Sequence, residues 1–229
     1  MISTTNINTD GGMSTPKTLA PGNTMFKING VFLDSVPYKV GAYQVRLEVE
    51  GPDMGEDFEG FFIDKNDPSK GRYAGQVGRI RFSEYPYSDG ETPKGDIIVR
   101  DTELVKALTS LCRTLGCSDW MTAQDEKHDT IESLFTQFNN DKPFTGIYLR
   151  ACVAGREYTN KAGYLSYDLY LPKYSRQGVA YENSSVDEAI SKVVKFSDET
   201  HIKKSKVSET KSFGESTTTT GSIASDFTL

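Results

Sequence analysis

The sequence predicts a mainly β chain of the α+β class, an antiparallel barrel with helices inserted before a closing hairpin. Three observations predict it. Apolar and polar side chains alternate with period two in several short stretches, as in strands with one buried and one wet face. Two helical stripes sit together in mid-chain instead of alternating with the strands. The longest alternating stretch, Pro143 to Leu171, can fold back at Thr159-Asn160-Lys161-Ala162-Gly163, where Asn and Gly tolerate positive φ.

Residues 1–24 are rich in Thr, Asn, Gly and Pro and have too little apolar surface to offset the entropy of ordering. They are expected to form a flexible arm, with order beginning near Met25. The stretch lacks the basic and apolar regions of a signal peptide. Phe26, Ile28, Val31 and Leu33 predict a first strand interrupted at Asn29-Gly30. Gly41 to Gly51 is a second, with Tyr43, Val45, Leu47 and Val49 on one face and Gln44, Arg46, Glu48 and Glu50 on the other. Phe58 to Ile63 is a third. In the turn Asp64 to Pro68, Ser69 stands where a calcium loop needs Gly. Gly75 to Phe82 reads as a strand with Val77 and Arg79 on one side, Ile80 and Phe82 on the other, and a bulge at Gly78.

Helices are expected near 101–115 and 130–139. Leu104, Val105, Leu108, Leu111, Cys112 and Leu115 make one apolar stripe, with Asp101 or Thr102 as cap and Gly116 as terminator. Ile131, Leu134, Phe135 and Phe138 make the second, with Asp129 or Thr130 at its start. The hairpin follows: Ile147, Leu149, Ala151 and Val153 share one face of its first half, and Arg156, Tyr158, Asn160 and Lys161 are expected at its tip. The barrel domain thus spans 25–174. Residues 175–206 carry a capping-box pattern at Ser185 to Glu188, a short apolar stripe (Val186, Ala189, Ile190, Val193), and the basic residues Lys203, Lys204 and Lys206. A short helix and a basic linker are expected there. Residues 207–229 are polar and of low complexity, a disordered tail ending in Phe227-Thr228-Leu229.

At 229 residues and 36% hydrophobic content the chain can bury one sizeable core. Its net charge of -6 argues against unspecific coating of duplex DNA, but the charge is segregated. Lys70, Arg72, Arg79 and Arg81 fall in a stretch without acids, whereas Gly41 to Asp67 is strongly acidic. Cys112, Cys117 and Cys152 form no even disulfide framework, which points to a reducing compartment. No apolar run approaches the roughly 20 residues of a membrane span, so a cytoplasmic location is expected. There is no phosphate-binding P-loop, no dinucleotide fingerprint and no nucleophile elbow. A zinc set of Cys112, Cys117 and His128 lacks a second cysteine pair, and Cys112 sits on an apolar helix stripe. No enzyme activity, cofactor or metal is expected.

Strands, then helices, then a closing hairpin is the chain order of an OB fold. With the hairpin sequence REYTNKAG and a polar tail of short acidic-apolar tip, residues 25–174 resemble the OB-fold single-stranded DNA-binding proteins of tailed bacteriophages. The resemblance implies a protein of the host bacterial cytoplasm that coats and protects single-stranded DNA during replication or recombination, with little sequence preference. It also implies a tail that recruits replication or recombination proteins. This tail departs from the strongly acidic tails of that family, offering only Asp226, with Glu215 and Glu209 further back. In such a protein a cationic groove follows the phosphates and aromatic faces stack on bases. The candidate residues are Arg46, Arg79 and Arg81, Tyr148, Arg150, Tyr164 and Tyr170, and Arg156, Tyr158 and Lys161. The alternative is a structural or accessory β domain of a virion, capsid or tail, which the Thr/Ser-rich ends and acidic charge also suit.

Overall fold

The computed structural model describes residues 17–19, 21–51, 62–64, 72–73, 77–163, 165–173 and 178–204. In chain order the strands begin with β1 (Lys17–Leu19), β2 (Gly22–Ser35), β3 (Tyr43–Glu50), β4 (Phe62–Asp64), β5 (Arg72–Tyr73), β6 (Val77–Arg81), β7 (Gly90–Glu91) and β8 (Ile97–Ile98). Helices α1 (Arg100–Leu115), α2 (Ser118–Ala123) and α3 (Ile131–Asp141) follow. Then come β9 (Tyr148–Thr159), β10 (Leu165–Tyr170), β11 (Tyr181–Asn183), a 3-10 turn at Glu188–Ile190, α4 (Asp198–His201) and β12 (Ile202–Lys203).

Five strands pair into a ring. β2 is antiparallel to β3, β3 to β6, β9 to β2 and β10 to β9. β10 then meets β6 in parallel, at Tyr170 opposite Arg81, and the Leu171 N–H donates to the Arg81 carbonyl at 2.9 Å. The expected antiparallel arrangement is therefore corrected to a mixed sheet. The reason is parity: directions that alternate cannot close around an odd ring, so one contact must be parallel. This contact is short, and the ring is not a clear barrel. β11 and β12 pair with β9 outside the ring. β1, β4 and β5 form a separate small sheet, so the expected third strand does not join the ring; Phe58 to Phe61 lie outside the described residues.

The interruption at Asn29-Gly30 is a bulge. Ile28 faces Val49 and Gly30 faces Glu48, which leaves Asn29 as the extra residue. The insertion keeps Phe26 and Ile28, before it, and Val31, after it, all buried on the core side. A Cβ at Gly30 would stand 2.5 Å from the Phe32 ring, so a larger residue there would have to displace that ring. No bulge occurs at Gly78. Glu50 to Arg46 pair without a break against Val77 to Arg81, and simple alternation puts Gly78 and Ile80 opposite the buried Val49 and Leu47.

Inside the ring lie Phe26, Ile28, Val31, Val45, Leu47, Val49, Ile80, Leu149, Ala151, Val153 and Leu169. The stripes of α1 and α3 close over them, with Leu104, Leu108, Leu111, Cys112 and Leu115 from one and Ile131, Leu134, Phe135 and Phe138 from the other. Val105, expected on the stripe, is 37% exposed. The α1 cap also differs. The helix starts at Arg100, one residue early, and Asp89 Oδ1 accepts the Arg100 N–H at 2.8 Å, so neither Asp101 nor Thr102 caps it. Gly116 ends it at φ 75, and Thr130 caps α3 through the Ser133 N–H at 3.2 Å.

Order begins before Met25. Gly22, Asn23 and Thr24 extend β2 against Val153, Cys152 and Ala151. The Asn23 side chain fixes them to the C-terminal segment, donating to Val194 O at 2.9 Å and accepting from Phe196 N–H at 2.7 Å. That segment lacks the expected third helix. Asn183 Oδ1 takes both the Ser185 N–H and its hydroxyl, so the capping box does not form. Asp187 instead caps the short 3-10 turn, and Val193 bridges Val179. Beyond it His201 is buried against Phe196, with Nδ1 accepting the Ser197 N–H at 3.0 Å. Lys206 and the tail of 207–229 lie outside the described residues, as do residues 1–16. No helix among the described residues is long and apolar enough to cross a membrane.

Candidate nucleic-acid interface

The outer face of β3, β6, β10 and β9 carries most of the sequence candidates, because alternation puts Arg46, Arg79, Arg81, Asp168, Tyr170, Arg156 and Tyr158 on it. Registers set the neighbours: Arg46 faces Arg81, Glu48 faces Arg79, Asp168 faces Arg156, and Ser166 faces Tyr158. Such cross-strand neighbours are close enough for charges to act on one another.

Two of the arginines are committed to the fold. Arg46 Nε lies 2.6 Å from Asp34 Oδ2 and Nη1 2.7 Å from Glu48 Oε1, with the guanidinium 4.8 Å from the centre of the Phe32 ring. Arg81 Nε donates to Asp168 Oδ1 at 2.9 Å, Nη2 stands 2.6 Å from Oδ2, and Nη1 donates to Glu84 O at 2.7 Å. Beneath it Tyr170 is 3% exposed, with its ring centre 5.6 Å from the guanidinium. These contacts stitch β10 to β6 where the ring has only one residue pair. Arg46, Arg81 and Tyr170, expected to touch a strand of nucleic acid, are thus residues engaged within the fold, the two arginines paired with carboxylates and Tyr170 buried. Arg150 is another: its Nη1 donates to Val186 O at 2.9 Å, under the C-terminal segment. Tyr148 starts β9 beside β11, where its carbonyl accepts the Ser184 N–H. Tyr164 lies outside the described residues.

The hairpin reverses where expected, but its strands stay paired further out than expected. Gly163 N–H donates to Asn160 O at 2.9 Å, Ala162 N–H donates to Asn160 Oδ1 at 3.0 Å, and Gly163 takes φ 83. The β9–β10 ladder accordingly runs out to Thr159 and Leu165. Asn160 and the exposed Lys161 occupy the turn, but Arg156 and Tyr158 stand back in the ladder, on the sheet face. There they meet Arg79. With Tyr167, Asp168 and Leu169 these three line an open groove of about 460 Å³. The Arg79 side chain is 72% exposed, with Glu48 3.7 Å away. Tyr158 is 45% exposed, and Arg156 Nη2 is 3.3 Å from Glu84 Oε1. Two guanidiniums and a phenol ring therefore reach solvent side by side. Guanidinium groups suit bidentate contact with phosphate, and an exposed ring suits stacking.

Glu84, Tyr167 and Lys203 are not among the candidate site residues of the sequence. Glu84 is the hub: its Oε1 receives both Arg156 and Lys203, and the Lys203 ammonium stands 5.8 Å from the Tyr85 ring. Burial alone would raise the Glu84 carboxyl, but the hydrogen bonds from Lys203 and Tyr85 bring it below its ordinary range. Lys203 is correspondingly raised, chiefly by the same hydrogen bond. Lys203 reaches this face because β12 runs parallel to β9, with Lys203 opposite Arg156. A two-residue strand has no alternation to read, which is why Lys203 looked like part of a linker.

No group of three or more His, Cys, Asp or Glu among the described residues is arranged to hold a metal. Burial raises the Cys112 and Cys117 thiols, and His128 is bound by Ser133 Oγ and Gln124 Oε1 at 3.1 and 3.0 Å, not by the cysteines. No protein-family model, curated protein or solved structure matches this chain.

Proposed function

We propose that the ring is an OB-type barrel that binds single-stranded DNA, with little sequence preference, in the groove of Arg79, Arg156 and Tyr158. The order of the ring, its helices set between the third and fourth ring strands, and its closing hairpin support the OB reading. The observation that carries the function is the exposure of Arg79, Arg156 and Tyr158 together at one open groove, on a chain of net charge -6. Arg79 and Arg156 take phosphates, and Tyr158 stacks on an unpaired base, which a duplex cannot offer. Stacking needs only a π-face, so sequence preference is low. Arg46 and Arg81, held by carboxylates, keep the sheet face in shape. The role implied is coating and protection of single-stranded DNA during replication or recombination.

Filter binding with labelled oligonucleotides tests this. Single strands bind more tightly than the matching duplex, and binding weakens steeply with salt. Equal affinity for both forms, or no binding at low salt, overturns the proposal.

A further inference from the structure

The groove is not the widest cavity of the described residues. A second one, of about 580 Å³, lies between the Phe82 to Ser88 loop, one face of α1, and the chain around Pro172 and Tyr181. That volume falls within the range of small-ligand sites, roughly 300–1,000 Å³. Its character is also that of a ligand site: aromatic walls with a few convergent polar groups. Phe82 packs edge-on to Tyr181 with ring centres 5.6 Å apart. The Tyr181 hydroxyl shares hydrogen bonds with Ser110 and Thr114, and the Tyr87 hydroxyl with Ser83. Burial pushes Tyr87 up to about 12, so it stays a neutral donor. At the mouth Tyr85 is 57% exposed, and Lys106 and Lys173 line the opening.

The cavity adjoins the groove. Glu84 sits between two cavity residues, Ser83 and Tyr85, yet binds Arg156 of the groove. Lys203, on the same carboxylate, stands against Tyr85. A strand leaving Arg156 therefore meets Lys203 next and Tyr85 after it. A chain of cations leading from one aromatic site to another suits a polyanion bearing planar groups.

Resting on the reading of the groove as a single-stranded DNA site, we infer that this cavity receives one unstacked base of the same strand. Tyr85 and the deeper aromatic walls hold the faces of the base, the Tyr87 and Tyr181 hydroxyls meet its polar edge, and Lys106 and Lys173 hold the flanking phosphates. Glu103, 2.7 Å from Lys106, keeps that ammonium at the rim.

The test uses the full chain and a labelled oligothymidylate carrying a single photoreactive 5-bromouracil, moved along the strand. Crosslinked peptides are identified by mass spectrometry, and affinities are measured for Tyr85→Ala, Lys106→Gln and Tyr158→Ala. Tyr85 and Lys106 are both exposed enough for the variants to be expected to fold, and thermal melts check this. If Tyr85→Ala nevertheless unfolds, Lys106→Gln and the crosslinks of the parent decide. The cavity predicts a crosslink at Tyr85 or Tyr87 from a position different from the one that labels Tyr158. It also predicts roughly 5- to 150-fold weaker binding by Tyr85→Ala and a shallower salt dependence for Lys106→Gln. If Tyr158→Ala weakens binding while Tyr85→Ala and Lys106→Gln bind like the parent, with crosslinks confined to the groove, the cavity inference fails and the groove stands. If the parent binds no oligothymidylate at low salt, both fall.

Discussion

Asn139 on α3 holds both backbone polar groups of Val31. Its Oδ1 accepts the Val31 N–H at 2.8 Å and its Nδ2 donates to the Val31 carbonyl at 2.6 Å. The contact exists because β2 outruns a neighbour. β9 pairs with β2 only as far as Lys27, so the edge of β2 beyond the bulge has lost its partner strand. A helix side chain replaces the ladder there. Unpaired backbone groups away from water are costly, and this pair lies beside the fully buried Val31.

Asn139→Ala is therefore expected to destabilise the protein by about 2 kcal/mol, since two backbone groups lose their partners. Urea unfolding measures this. A midpoint equal to the parent's would mean that water satisfies Val31 and that α3 does not seal the ring.

The sheet face divides into buried or tightly paired side chains and exposed ones, and stability measurements separate them. Tyr170→Ala removes a buried ring that carries Arg81, and a loss of about 3 kcal/mol is expected, as for other buried aromatics. Arg79→Ala and Tyr158→Ala should stay within about 0.5 kcal/mol of the parent, as exposed sites do. The reverse order of effects would place Tyr158 in the core.

Glu84 makes the docking of the C-terminal strand sensitive to acid. Its folded pKa lies below the ordinary 4.5, so its ionised form favours the folded state. That contribution is fully present above about pH 4.5 and is lost as pH falls through the lower folded value. Glu84→Gln should accordingly melt below the parent at neutral pH, with the gap closing as the pH drops beneath 4.5. Hydrogen exchange at Ile202 and Lys203 should quicken in the variant. A gap that is constant with pH would show that Glu84 acts through packing alone.

The ring strands were legible where alternation is long. β3, β9 and β10 are bounded nearly as expected, and the α1 and α3 stripes mark the faces that cover the core. The bulge in β2 was legible as a break in phase at Asn29-Gly30, whereas Gly78 in β6 mimics a bulge although the alternation there is regular. What stayed hidden were partners distant in the chain. Arg81 looks like a free cation until the ring closes and brings Asp168 to it, and Arg46 until β2 brings Asp34. The C-terminal segment reaches β9 through backbone pairing at β11 and β12, which leaves no mark on side-chain pattern. Lys203 and Glu84 therefore meet at the groove with nothing in either local sequence to announce it. The turn within Thr159 to Gly163 was legible, but how far the ladder runs toward it was not, and that moved Arg156 and Tyr158 from the tip to the sheet face.

Titration of an oligothymidylate across a salt series, with the parent, Arg79→Ala/Arg156→Ala and Tyr158→Ala, tests the groove most directly. Each arginine that contacts a phosphate contributes about 0.7 to the slope of log affinity against log salt on single strands. The double variant should therefore lose about 1.4 from that slope. Tyr158→Ala should keep the parent's slope and bind roughly 5- to 150-fold more weakly at every salt concentration. Parent-like slope and affinity in both variants, with both folded, would contradict the groove as the DNA site.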